Sequence, residues 1–324
     1  MKRKGWMVGA MVIFGVLASD AGHAGPGREA INAKRWASGL PDGVSLGRIS
    51  IPGTHDSAAL HEPLRGTAAC QDVGIGKQLD FGVRYLDIRC RHVGDRFAIH
   101  HGAVFQKLFF DDVLRDVYAF LDANPGECVI MAVKEEYKPK GNTRSFGETF
   151  DAYVAKNRKK WWLGDKVPRL GEVRGRIVLV RRFAADGRKG IDATRWPDNA
   201  AFEAGRIVVQ DRYIVRDAAV KWKQVEKALD AAFADKGAGR LHINHASGYI
   251  SGRFGIPDIP GVSDVVNPKL RAYFAAAPRG GCGCVVMDHA TARLARLVFE
   301  TNFTVSRRGR VFRGASGGGL RGRR

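Results

Sequence analysis

Ser50-Ile51-Pro52-Gly53-Thr54-His55-Asp56-Ser57 closes an apolar run, Val44–Ile51, with Pro-Gly and follows it at once with a histidine and an aspartate. Runs rich in Val, Ile and Leu suit strands of a buried parallel sheet, and Pro-Gly marks the turn that ends one. A histidine there is carried by a loop yet anchored by a strand, a common catalytic placement. The plain structural reading is a turn-stabilising aspartate beside an incidental histidine. Two later segments weigh against it. In Arg84-Tyr85-Leu86-Asp87-Ile88-Arg89, Asp87 and Arg89 stand two apart and so share one face of a strand. An acid and a guanidinium on an apolar strand are costly to bury unpaired, and alone they would read as a structural ion pair. Ile99-His100-His101-Gly102 then supplies a second histidine site, of which alternation along the strand turns one ring inward. Histidines titrating near neutrality can take and give a proton, and arginine can hold a phosphate. Together these groups make an enzyme acting on a phosphodiester the leading expectation.

Working outward, short apolar runs predict strands at Val44–Ile51, Tyr85–Arg89, Phe97–His100, Cys128–Lys134, Arg176–Arg182, Ile207–Gln210, Leu241–Asn244 and Cys284–Met287. Helical spacing of apolar residues predicts helices over Asp111–Asn124, Asp217–Lys236 and Thr291–Asn302, the first stopped by Pro125-Gly126. Alternating strands and helices allow a doubly wound sheet or a (β/α) barrel. No G-x-G-x-x-G or Walker sequence opens a helix, which disfavours nucleotide binding. The polar candidates fall at the ends of several strands, as they do at the C-terminal rim of a barrel.

The N-terminus carries Lys2, Arg3 and Lys4, a short apolar run from Trp6 to Ala18, and small residues before a cut expected after Ala24. Residues 1–24 are therefore expected to be a signal peptide, and the protein to be exported, secreted or periplasmic. The alternative is an uncleaved anchor, for which the run is short. The chain of 324 residues carries a net charge of +20. From Arg307 a Gly-rich tail holds seven arginines and no acid, so residues 304–324 read as disordered. A solvated tail is the plain reading; attraction to anionic lipid is the functional one. Five cysteines, Cys70, Cys90, Cys128, Cys282 and Cys284, leave at least one unpaired within the chain. Cys128 lies in an apolar run and reads as a buried thiol, and Cys282-Gly283-Cys284 lacks zinc spacing. Arg158-Lys159-Lys160-Trp161-Trp162 could dip into a lipid interface, but packing of its tryptophans against the fold is the favoured reading.

The run from Ser50 to Ser57, followed by Arg84–Arg89, Ile99–Gly102, Met131–Tyr137, Gly171–Phe183, Val209–Tyr213 and Val285–Asp288, resembles the catalytic X domain of bacterial phosphatidylinositol-specific phospholipase C. The order of these motifs over Leu46 to Asn302 is specific, while Leu60–Gln78 matches poorly. The resemblance implies a single distorted (β/α)8 TIM barrel over residues 25–303. It implies internal attack of the inositol 2-hydroxyl on the phosphate, releasing diacylglycerol and inositol 1,2-cyclic phosphate. On it, His55 resembles the general base, Asp288 its orienting carboxylate, and His101 the general acid with Asp56 as partner. Arg89 resembles the phosphate-binding cation, held by Asp87, while Lys134, Arg182, Asp211 and Tyr213 match positions that grip the inositol ring. An arginine at position 89 would repel a calcium ion and can replace its charge, so no metal cofactor is expected. The metal alternative makes His55, Asp56, Asp87 and His101 ligands. The expected partner is an inositol-containing lipid at a membrane surface, with no specific nucleic acid. Two other readings stay open. One is a metal-dependent barrel phosphodiesterase acting on another phospholipid. The other is a non-enzymatic basic protein that binds anionic lipid or nucleic acid.

Overall fold

The apolar runs form strands at the expected places. The computed structural model describes residues 31–303 except 236–238 and 277–279; the leader expected over 1–24 and the tail expected over 304–324 lie outside the described residues. In chain order the strands are β1 (Ser50–Thr54), β2 (Tyr85–Val93), β3 (Arg96–His101), β4 (Val104–Phe109), β5 (Val129–Glu135), β6 (Trp161–Trp162), β7 (Ile177–Arg182), β8 (Ile191–Asp192), β9 (Ala200–Ala204), β10 (Ile207–Asp211), β11 (Ile214–Val215), β12 (Leu241–His245), β13 (Tyr249–Ser251), β14 (Pro257–Asp258) and β15 (Gly283–Met287). The helices are α1 (Ile75–Asp80), α2 (Phe110–Ala123), α3 (Phe146–Lys156), α4 (Leu170–Val173), α5 (Ala218–Asp235), α6 (Pro260–Ala276) and α7 (Ala292–Glu300).

The main sheet runs β6-β7-β5-β2-β1-β15-β12-β10-β9, with parallel pairing from β6 through β10. It curls into a distorted TIM barrel. Among the described residues no ladder joins β7 or β8 to β9 or β10, so the barrel has an open seam there. Period-2 alternation sorts the side chains into two layers. Ile51, Tyr85, Ile130, Ala132, Val178, Val180, Ile207, Val209, Ile243, Cys284 and Val286 fill the interior. Leu86, Ile88, Met131, Val133, Ile177 and Leu179 face outward beneath α2 and α3, while Val285 and Met287 pack under α5, α6 and α7. Each such burial stabilises by about 1.5–3 kcal/mol, which is what holds a strand apolar on both faces in place. Gly53 lets β1 close on β2, since a Cβ there would stand 2.9 Å from Cβ of Tyr85.

One expected strand is shorter than its apolar run. Leu46–Arg48 forms a 3-10 turn, and the strand begins only at Ser50. The Ser45 hydroxyl accepts from Gly47 N–H and starts the turn, while Leu46 and Ile49 still reach the interior. Four helices, the short α1 and α4 and the longer α3 and α6, had no counterpart in the sequence reading. α3 is opened by a reciprocal Ser145/Glu148 cap, and α6 runs through an internal Pro268 that reads as a stop. All five cysteines are buried, and Cys70, Cys90, Cys128 and Cys284 are free thiols. Trp161 packs inside, its indole N–H donating to the Tyr118 hydroxyl at 2.8 Å, as the packing reading held.

Arg84 stands at the N-terminal end of β2, away from the chemistry. It is buried and paired to Glu127 at 2.8 Å, and it also donates to the Lys34, Leu79 and Val83 carbonyls.

Candidate active site

The same alternation that fills the interior also places the polar groups. Arg89, Lys134 and Arg182 each follow two interior residues on β2, β5 and β7, and the register puts them in one row: Arg89 opposite Lys134, Lys134 opposite Arg182. Asp211 ends β10 and His245 ends β12 in the same phase. His55 and Asp288 lie one residue past Thr54 and Met287, which pair. All these groups converge at the C-terminal mouth of the barrel. His55, Arg89, His101, Lys134, Arg182, Asp211, Tyr213 and Asp288 line one cavity of about 300 Å³. Asp56 and Asp87 are fully buried and lie against its charged groups.

His55 is fixed from both ends. Its Nδ1 lies 2.7 Å from Asp288 Oδ1, and its Nε2 lies 2.8 Å from Arg89 Nη2. A guanidinium only donates, so Nε2 accepts and the ring proton sits on Nδ1 toward Asp288. Asp288 is held in turn by Gly248 N–H at 3.1 Å. Burial and Arg89 oppose charging of His55, but the Asp288 carboxylate, helped by Asp87, outweighs them and the net shift is upward. The result is an imidazole whose Nε2 lone pair is directed at Arg89 on the cavity wall and whose protonated form has a partner in Asp288.

Asp87 bridges Arg89 at 3.1 Å and Arg182 at 3.5 Å. Burial alone would raise its carboxyl, yet Arg89 and then Arg182 hold it far below the ordinary carboxylate range. The ion-pair reading is thus correct as geometry, but the pair opens onto the cavity through Arg89.

His101 and His100 diverge as alternation requires. His101 reaches the cavity, and His100 stacks against Phe105 and Tyr137. His101 Nδ1 donates to the Ala68 carbonyl at 2.9 Å, which leaves Nε2 for the cavity. Burial, then Arg89 and His55, bring its pKa down to about 4. The partner expected for it, Asp56, makes no hydrogen bond to it: neither carboxylate oxygen of Asp56 has any such partner. The backbone decides this. Asp56 sits at φ +33° with its N–H directed at Asp87, and the Ala68 carbonyl takes the ring nitrogen instead. Burial raises Asp56 to about 8, over the opposing pull of Arg89 and His55, so at neutral pH it holds a proton. Ring and carboxyl remain neighbours, with donor atoms of Asp56, Cys70 and His101 within 4.8 Å of one another.

The opposite wall is built from Arg182, Asp211 and Tyr213, joined by Trp196. The Trp196 indole N–H donates to Asp211 Oδ2 at 2.9 Å, and the Arg182 guanidinium stacks 3.9 Å over its ring. Tyr213 Oη donates to Asp198 Oδ1 at 2.6 Å. Arg182, rather than Arg181, faces the cavity; Arg181 turns to the Lys189 and Phe183 carbonyls. Lys134 pairs with Glu136 at 2.7 Å, and Glu136 also accepts from Gly102 N–H at 3.0 Å.

Glu136, Trp196, Asp198 and His245 were missed by sequence reasoning. For His245 a signal existed, because Leu241 and Ile243 alternate inward and the next inward position is 245. Burial lowers His245 to about 4 despite Asp211 and Asp87. Trp196 and Asp198 lie in an irregular segment where no period speaks for them.

A metal would find donor atoms here, since those of His55, Asp87 and His245 lie within 4.8 Å of one another. Both nitrogens of His55 are already engaged, however, and the Arg89 cation stands against that set.

The pattern of the family described as "Phosphatidylinositol-specific phospholipase C, X domain" matches residues 49–183. The chain is 30% identical over 278 residues to the 1-phosphatidylinositol phosphodiesterase of Staphylococcus aureus (strain Newman), covering 79% of this chain and 88% of that one. It is also 30% identical to the 1-phosphatidylinositol phosphodiesterase of Listeria monocytogenes over 234 residues, covering 68% and 70%. A solved variant of the S. aureus phosphatidylinositol-specific phospholipase C superposes with a TM-score of 0.75 at 28% identity, covering 83% of this chain and 98% of that one. The L. monocytogenes enzyme superposes with a TM-score of 0.72 at 25% identity, covering 84% and 99%. With its motifs in the same order and its polar residues at the mouth of the same barrel, the chain belongs to the phosphatidylinositol-specific phospholipase C X-domain family.

Proposed function

We propose that this protein cleaves phosphatidylinositol by internal attack, and that it needs no metal to do so. The observation that carries the reading is His55 pinned between Asp288 and Arg89, with its lone pair on the cavity side. His55 Nε2 takes the proton of the inositol 2-hydroxyl as the 2-oxygen bonds to phosphorus. Arg89 holds the phosphate oxygens and offsets their growing charge. The bond from phosphorus to the glycerol oxygen breaks, and His101 gives that oxygen its proton. An anionic phosphate beside His101 favours the imidazolium it needs, and Asp56, which keeps a proton up to about 8, is the adjacent reserve. Diacylglycerol and inositol 1,2-cyclic phosphate result. Lys134, Arg182, Asp211 and Tyr213 line the wall that would take the ring hydroxyls.

Arg89 supplies at the phosphate the charge that a divalent ion would bring, which is why a metal is not needed. Phosphorus NMR of the protein with phosphatidylinositol micelles in excess chelator is expected to show the cyclic phosphate. Turnover that appears only on adding calcium or magnesium would sink this reading in favour of a metal-dependent phosphodiesterase.

The surface that meets lipid is read from the rim. Leu64 is 56% exposed, Ile256 43% and Phe254 95%, the last held outward at φ +59°. Their two loops are tied by the Ile259 N–H donating to the Gly66 carbonyl at 3.0 Å. Solved structures of the S. aureus enzyme address the modulation of its membrane binding. Inserting a phenylalanine ring into an interface is worth about 1.5–3 kcal/mol. Phe254→Ser is therefore expected to weaken binding to phosphatidylinositol-containing vesicles by roughly 10- to 100-fold, with turnover of a soluble inositol phosphodiester unchanged. Unchanged vesicle binding in a sedimentation assay would remove Phe254 from the lipid-facing surface. Export to reach such a lipid rests on the leader pattern of residues 1–24.

A further inference from the structure

His101 is oriented by a backbone carbonyl, and that carbonyl sits in a loop whose successive N–H groups converge on one carboxylate. Glu62 Oε1 accepts from Gly66 N–H at 2.9 Å. Glu62 Oε2 accepts from the N–H groups of Thr67, Ala68 and Ala69 at 3.1, 3.2 and 3.0 Å. Four successive peptide groups are thus gathered on one side chain, and the Ala68 carbonyl is turned the other way, onto His101 Nδ1. Burial is the largest single influence on the Glu62 carboxyl and raises it, yet the four backbone bonds together hold it below its ordinary range. The loop's entry is anchored separately: Gln106 on β4 exchanges hydrogen bonds with both His61 N–H and His61 carbonyl, at 2.7 and 3.0 Å. β4 is the hairpin partner of the strand that carries His101, so the loop and the histidine share one support.

We propose that Glu62 is a positioning residue for departure of the leaving group: by ordering residues 66–69 it holds the Ala68 carbonyl against His101 and so fixes which ring nitrogen faces the cavity. The inference rests on His101 being the acid of the proposed reaction. Glu62 touches no reacting atom. Its effect passes through the Ala68 carbonyl, which keeps the Nδ1 proton in place and favours the imidazolium. Without the carboxylate the four N–H groups lose their shared acceptor, the loop loosens and the ring can turn or change tautomer. Attack by the 2-hydroxyl, governed by His55 on the other side of the phosphorus, would be untouched.

The test uses two substrates. Phosphatidylinositol loses an alkoxide and needs an acid; an inositol 1-phosphodiester with a 4-nitrophenyl leaving group does not. His101→Ala is the reference and is expected to lose at least 100-fold on the first substrate and under tenfold on the second. Glu62→Ala is expected to lose on the order of tenfold on phosphatidylinositol and under threefold on the aryl ester. Glu62→Gln, which keeps an acceptor oxygen, should recover part of the loss. The ratio of the two rates cancels any change in folded fraction. The basic limb of kcat/KM in Glu62→Ala should also move to lower pH, because the groups facing His101 (Arg89, His55, Glu136, Asp56 and Cys70) remain while the carbonyl that favours its protonated form is released. Equal losses of Glu62→Ala on both substrates, or none on either, would overturn the proposal alone. Equal losses of His101→Ala on both would remove the acid assignment and the proposal with it.

Discussion

Arg89→Ala is expected to lower kcat on phosphatidylinositol by roughly 10³- to 10⁴-fold, the range for removing the cation that meets a transferring phosphoryl group. Three things are lost at once. The phosphate loses its guanidinium, His55 Nε2 loses the donor that fixes its lone pair, and Asp87 loses the partner 3.1 Å away that keeps it ionised. Arg182 remains 3.5 Å from Asp87 and keeps part of that charge in place. Arg89→Lys restores the charge without the planar fork and should recover only part of the rate, since a point charge cannot serve phosphate, imidazole and carboxylate together. Steady-state kinetics in mixed micelles decide the matter. A loss below tenfold for Arg89→Ala would mean that the phosphate is bound elsewhere on the cavity wall.

The second large effect belongs to His55. His55→Ala should cost about 10³- to 10⁴-fold, near the top of the range for a general base, because it removes the ring nitrogen held between Asp288 and Arg89. The loss should be the same for alkoxide and aryl leaving groups, which sets it apart from His101. Asp288→Asn is the finer probe. The Asp288 carboxylate is the chief influence raising His55, so its removal should move the acid limb of the rate profile to lower pH while reducing the rate. A profile whose acid limb stayed put in Asp288→Asn would place the base elsewhere.

How much of this was legible in the sequence follows from what carries periodic information. Tyr85 to Arg89 alternates without interruption, so strand, face and ion pair could all be read from five letters. His55 and Asp288 were readable because each follows a strand directly. What failed to show was non-periodic. Trp196 and Asp198 reach the cavity from an irregular segment, and the clamp of Glu62 on residues 66–69 is a set of backbone bonds that no side-chain pattern encodes. The partner of His101 was misread for the same reason: it is a peptide carbonyl, not the aspartate. The long helix α6 was hidden by Pro268, whose ring stops a helix in most settings but here sits within one.

The open seam between β7 and β10 has a mechanical meaning. A barrel sewn shut by backbone hydrogen bonds all the way round resists changes in girth at every point. Among the described residues this one is left unsewn along that seam, and Arg182, Trp196 and Asp211 span it with a stacked cation and one indole N–H. An inositol ring held by Arg182 from one bank and by Asp211 from the other would act as the missing stitch. The pocket's tightness would then be set partly by its own guest, and the rigidity needed to line up a hydroxyl with phosphorus would arrive together with the sugar.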